Sequence, residues 1–199
     1  TGAIVADADP AAVEADKTNF VALAKTDDVA SIKTAPKLAI VYAFRDENGA
    51  FSRVVLPIKG TGLWSTMHGF ISLAADLRTI AQIVFYDHGE TPGLGGEISN
   101  PAWTSKWVGK LAYDDAGATV RVVKGAARNE LEVDGISGAT LTGNGVGATL
   151  EFWLGAKGFG PFLAAGAEPI QRALDAIPIP EPEEAVPAEA AASETANDE

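Results

Sequence analysis

The sequence predicts an α+β domain: a mostly antiparallel, twisted sheet packed with helices. Three observations carry that expectation. Leu38 to Phe44 is a continuous apolar run, Asn48-Gly49 is a hairpin turn signal, and Phe51 to Ile58 is rich in Val and Leu, which together spell two paired strands. The regular strand–helix alternation that builds a parallel sheet is missing. A helical period comes late, where Val146, Leu150, Trp153 and Leu154 recur at i, i+4, i+7 and i+8 beyond Thr140. With 199 residues, 47% of them hydrophobic, the chain is long enough for one domain with a sizeable core. Its composition divides it into an N-terminal helical segment (1–35), a main domain (36–176) and an acidic tail (177–199).

The elements follow in order. Asp9-Pro10 reads as a helix start with Pro in the first position, and the apolar face of Val13, Phe20, Val21 and Leu23 predicts a surface helix from Ala11 to Ala24. After the first hairpin, Gly60 and Gly62 close the strand and leave Leu63-Trp64 in a glycine-punctuated loop. The Trp64 ring can be read there as a core anchor or as the lining of a ligand. Gly69 to Ala75 and Ile80 to Tyr86 are two more strands joined at Asp76-Leu77-Arg78. In His88 to Glu97, Pro92 fixes φ and Gly93 permits a type II turn. Asn100 caps a short helix begun by Pro101, with Trp103 and Trp107 one turn apart. Leu111 to Tyr113 and Thr119 to Val123 read as a further hairpin. From Ile177 onward Pro, Ala and Glu dominate, a composition too poor in apolar surface to offset the entropy of ordering.

Charge and residue inventory exclude several functions. Of the 27 acids, seven fall in 177–199, leaving 20 against 15 basic residues elsewhere, so no basic patch suits a nucleic-acid backbone. The absence of cysteine excludes disulfides, thiolate-bound clusters and cysteine nucleophiles. Two histidines make a histidine-rich metal site improbable. No apolar run reaches the length of a membrane span, and Thr1 in place of Met suggests a processed or truncated chain.

The stretch from Asp134 to Thr142 has the layout of a site. Gly135 and Gly138 let the backbone turn, Ala139 keeps the neck narrow, and Thr140 falls at a helix start, where free N–H groups favour a phosphate or another anion.

The string Asp134-Gly135-Ile136-Ser137-Gly138-Ala139-Thr140 resembles the flavinylation signature of FMN-binding domains found in membrane-bound, ion-pumping respiratory complexes. Gly60-Thr61-Gly62-Leu63-Trp64-Ser65 and His88 to Glu97 resemble, in particular, the NqrC family, flavin-bearing subunits of the Na⁺-translocating NADH:quinone oxidoreductases. The related G-type component of electron-transport complexes shares Glu90-Thr91-Pro92-Gly93-Leu94-Gly95, but the Gly96-Glu97 that follows is more like NqrC. The likeness covers roughly residues 38–165.

That resemblance implies a single FMN-binding domain in which a flavin transferase esterifies Thr140 to the FMN phosphate. It implies Asp134 as a signature residue for the transferase and Ser137, Gly138 and Ala139 as the shape of the neck. Leu141 and Thr142 would hold the phosphate, and Gly62, Leu63, Trp64, Glu90, Thr91, Leu94 and Gly95 would border the ring; Lys106, by its residue type alone, reads as a solvated lysine or as a charge that neutralises the phosphate or the reduced flavin. It further implies partner subunits of the complex, an N-terminal membrane helix missing from this chain, and a flavin domain on the periplasmic side of a bacterial inner membrane.

Two rivals stand beside it. Gly135-Ile136-Ser137-Gly138-Ala139 falls one residue short of a serine-hydrolase nucleophile elbow, but no His follows Ser137, as that fold requires. The other rival is a non-catalytic extracytoplasmic interaction domain with a glycine-rich turn. A dinucleotide fold fits worse, because Gly143-Asn144-Gly145-Val146-Gly147 has the wrong glycine spacing.

Overall fold

The structure, a computed structural model, describes residues 2–5 and 8–178; most of the acidic tail expected over 177–199 lies outside the described residues. Its centre is a four-stranded sheet in the order β3 (Tyr42–Arg45), β4 (Phe51–Thr61), β5 (Thr66–Ala74) and β6 (Ile80–Asp87), with every neighbouring pair antiparallel. The hairpin read from the sequence is present: Gly49 turns at φ 83° and Tyr42 pairs with Val55. Side chains alternate as a half-buried strand demands, with Val54, Leu56 and Ile58 turned inward. Pro57 lies beyond the β3 register, where β4 has β5 alone as a partner and a missing N–H is tolerated.

Helix α3 (Thr140–Leu154) lies across β4 and closes the core. Val146, Leu150, Trp153 and Leu154 are all buried, as their spacing predicted. Each such side chain contributes on the order of 1.5–3 kcal/mol by leaving water. The crossing is close because of two glycines. A Cβ on Gly60 would sit 1.9 Å from Thr149 Oγ1, and one on Gly145 would sit 2.4 Å from the Thr61 carbonyl oxygen. Farther along α3, Trp153 Nε1 donates to the Lys59 carbonyl at 2.7 Å, which fixes the helix along the strand.

Other elements depart from the sequence reading for local reasons. The N-terminal helix is only α1 (Pro10–Ala15), because the Asp16 carboxylate captures the Thr18 N–H and hydroxyl and ends it. Phe20 and Val21, read in the sequence as part of a helical face, instead form strand β1 (Phe20–Ala22) antiparallel to β2 (Thr34–Pro36). The hairpin expected at 111–123 is a single bridge, Tyr113 to Thr119. Its second arm becomes β7 (Arg121–Val123), which pairs in parallel with β8 (Glu132–Asp134). Helix α2 (Pro101–Thr104) is capped by Asn100 Oδ1, accepting from Ala102 N, and continues as a 3₁₀ turn, Ser105–Trp107. Two short helices, α4 (Gly160–Ala164) and α5 (Ala167–Asp175), finish the described chain.

Candidate flavin site

The three stretches singled out in the sequence come together at one end of the sheet. The first is the β4–β5 turn, Gly62 to Ser65, closed by a bond from Gly62 N to the Ser65 carbonyl at 2.8 Å. The second is the loop after β6. Its Thr91-Pro92-Gly93-Leu94 segment is the expected type II turn, with Gly93 at φ 74° and Leu94 N bonded to the Thr91 carbonyl. The third is the neck before α3, where Gly138 takes φ 74° and a Cβ added to it would lie 2.9 Å from Leu94 Cδ2. The positive φ is what favours glycine here, since the Leu94 methyl could move aside for a Cβ.

Glu90 joins the three. Its side chain is 5% exposed, and each carboxylate oxygen accepts two hydrogen bonds. Oε1 takes Trp64 N at 2.9 Å and Ser65 N at 3.3 Å; Oε2 takes Leu63 N at 3.2 Å and the Thr142 hydroxyl at 2.5 Å. Burial pushes the Glu90 carboxyl up, but the bonds from Thr142, Trp64, Leu63 and Ser65 outweigh it and hold the group below the usual carboxylate range. Room for the carboxylate comes from Gly62 and Gly95. A Cβ on the first would meet Glu90 Oε1 at 2.5 Å, and a Cβ on the second would meet Thr142 Oγ1 at 2.5 Å and Glu90 Oε2 at 2.8 Å.

Thr140 opens α3 and is exposed, with its hydroxyl free of hydrogen bonds among the described residues. Ala139, at the N-cap, has no side chain able to bond the helix start, so the N–H groups of Thr140, Leu141 and Thr142 find no acceptor in the described chain. A helix of 15 residues with such a start presents the positive end of its dipole to an anion. On the two loops and the first turn of α3, Leu63, Trp64, Leu94 and Leu141 are 44%, 69%, 44% and 59% exposed. Their apolar surfaces suit a flat aromatic ligand better than they suit water, so anion-ready N–H groups and uncovered apolar side chains fit the two halves of a flavin nucleotide.

Asp134 is held from three directions. Lys106 Nζ donates to its Oδ2 at 2.8 Å, Ala127 N to its Oδ1 at 2.8 Å, and Trp103 Nε1 to its carbonyl at 2.8 Å. The Lys106 bond and then the Ala127 bond keep its carboxyl below the ordinary range against a small cost of burial. Lys106, which the sequence leaves as either a solvated lysine or a charge on the cofactor, is instead paired with a carboxylate. Thr142, expected to bond the phosphate, is 1% exposed and turns its hydroxyl inward to Glu90. Thr91 is exposed and contributes its carbonyl to the turn.

Some participants were not legible. Ser65 Oγ accepts from Gly89 N at 2.6 Å, a bond that depends on which loops meet, and within the second loop His88 Nδ1 accepts from Glu90 N at 3.3 Å. The exposed Ser137 makes no hydrogen bond to a histidine among the described residues, which leaves the hydrolase reading without a base. A groove of about 740 Å³ lies elsewhere, among Ile4, Ile40, Trp153 and Phe162, and none of the site residues lines it.

Fold and site together define an FMN-binding domain, and residues 62–155 match the family model of that description. Over 86% of this chain and 76% of the other, the fold matches the crystal structure of NqrC from Shewanella oneidensis at 38% identity and a TM-score of 0.71. The NqrC protein of the Na⁺-translocating NADH-quinone reductase of Yersinia pestis is 48% identical over 151 residues, 74% of this chain and 57% of that relative. Its Pasteurella multocida counterpart is 51% identical over 145 residues, 72% of this chain and 56% of the relative. The chain belongs to the NqrC family of Na⁺-translocating NADH-quinone reductase subunits. It spans less than two thirds of the length of those curated relatives.

Proposed function

We propose that this chain carries FMN through a phosphoester on Thr140 and relays single electrons within a membrane-bound, Na⁺-pumping NADH:quinone oxidoreductase. The observation that carries the reading is the exposed, unbonded hydroxyl of Thr140 beside uncapped helix N–H groups and the apolar side chains of Leu63, Trp64, Leu94 and Leu141. When bound, FMN supplies the one-electron chemistry. The chain's own residues hold and orient it. Leu141 and Thr142 would offer backbone N–H to the phosphate, Leu63, Trp64 and Leu94 would border the ring, and Gly138 keeps the neck open between them. A tether at the phosphate leaves the ring chemically unmodified and keeps its local concentration high.

Attachment balances as a phosphoryl-type transfer performed by a flavin transferase. The Thr140 Oγ–P bond forms, the pyrophosphate bond of a flavin dinucleotide donor breaks, the nucleoside monophosphate leaves, and the hydroxyl proton passes to a base of the transferase. Asp134 and the neck from Gly135 to Ala139 are the segment that enzyme would read. Among the described residues no helix is long and apolar enough to cross a membrane; anchoring through a helix outside this chain, on the periplasmic side of a bacterial inner membrane and against other subunits of the complex, belongs to the same proposal.

In-gel fluorescence after denaturation tests it. Co-expressed with a flavin transferase, the wild-type chain should fluoresce, Thr140→Ser should keep part of the signal, and Thr140→Ala should be dark. A fluorescent Thr140→Ala band would contradict the assignment.

A further inference from the structure

We infer that Glu90 is a positioning residue, a buried latch that locks the Leu63–Ser65 turn to the first turn of α3 and so fixes the apolar side of the site relative to Thr140. The function rests on the FMN reading above, whereas the latch itself is a property of the flavin-free chain. Glu90 lies between two parts distant in sequence, taking three backbone N–H groups from Leu63, Trp64 and Ser65 and a hydroxyl from Thr142. All four of those bonds end on one carboxylate. Losing it would leave the Leu63, Trp64 and Ser65 N–H groups and the buried Thr142 hydroxyl without this acceptor.

The surroundings are shaped for a carboxylate. Gly62 and Gly95 vacate the space its oxygens occupy, so either glycine with a Cβ would collide with the latch. No lysine or arginine pairs with it among the described residues, and the four donors are all neutral. Glu90 thus binds protein donors and is buried, which separates its role from that of a ring contact. Trp64 reports the state of the latch, because it is 69% exposed on the held turn while Trp103, Trp107 and Trp153 are buried.

The experiment measures residue-resolved amide exchange on the flavin-free chain, then the visible circular dichroism of the flavin-loaded chain. In Glu90→Ala the Leu63, Trp64 and Ser65 amides should exchange about tenfold or more faster than in wild type, with Leu56 and Ile71 unchanged. Glu90→Gln keeps a single carbonyl oxygen, so it should protect either Leu63 or the Trp64–Ser65 pair, but not both. Thr142→Val, which removes one donor while preserving shape, should loosen the turn less than Glu90→Ala. In the loaded protein Glu90→Ala should retain attached flavin but lose most of its induced dichroism. Wild-type exchange rates at all three amides in Glu90→Ala, or unchanged dichroism with flavin attached, would overturn the latch. Failure of flavin to attach even to wild type would overturn the FMN reading and leave the exchange result to judge the latch alone.

Discussion

At the residue scale, charge burial is resolved by hydrogen bonding without a counter-ion. Glu90 is buried, yet its four donors favour the ionised form enough to set its carboxyl below the ordinary 4.5. A carboxyl lowered by folding stabilises the fold above its unfolded value, and that contribution disappears as pH falls from about 4.5 through the lower folded value. Urea unfolding between pH 7 and pH 3 should therefore show a stability decline at the acid end that is shallower in Glu90→Gln. Glu132 and Asp134 are lowered too, through Arg121 and Lys106 respectively, so part of the decline should persist. An acid limb identical in Glu90→Gln and wild type would contradict the ionised assignment. The motif around Glu90 was visible in the sequence, but not that Glu90 faces inward, because inward orientation depends on Gly62 and Thr142, which lie 28 and 52 positions away.

At the element scale, α3 is placed by what its glycines lack. Gly145 admits the Thr61 carbonyl of β4, whereas a Cβ on Gly147 would find no atom closer than Val122 N at 4.0 Å. Gly145→Ala should therefore destabilise the fold by about 1–3 kcal/mol through overpacking. Gly147→Ala should stabilise it by roughly 0.5–1 kcal/mol by removing helix-interior glycine. Denaturant midpoints measure both, and equal effects of the two substitutions would refute the placement of α3. Sequence period located this helix and the β3–β6 sheet well, since both have long runs of alternating or recurring apolar residues. It over-extended α1 because Phe20 and Val21 fit a helical face as well as a strand, and the Asp16 side-chain bonds to Thr18 decided the matter. Short strands such as β7 carry no signal of direction. Whether β7 pairs with the segment before it or with β8 depends on tertiary contacts.

At the scale of the whole molecule, the sheet is a scaffold whose one end gathers a turn, a loop and a helix start from segments more than 20 residues apart in the chain. Family motifs made those three segments legible before the fold was known; the bonds that join them were not, because the partners of Glu90 and Asp134 come from elements with no common sequence pattern. The central claim is that this gathering serves one covalent anchor. Intact-mass spectrometry of the chain co-expressed with a flavin transferase, followed by peptide mapping, tests it most directly. The account predicts a gain equal to one FMN less one water, confined to the peptide bearing Thr140. An unmodified mass, or the same gain on a different residue, would contradict it.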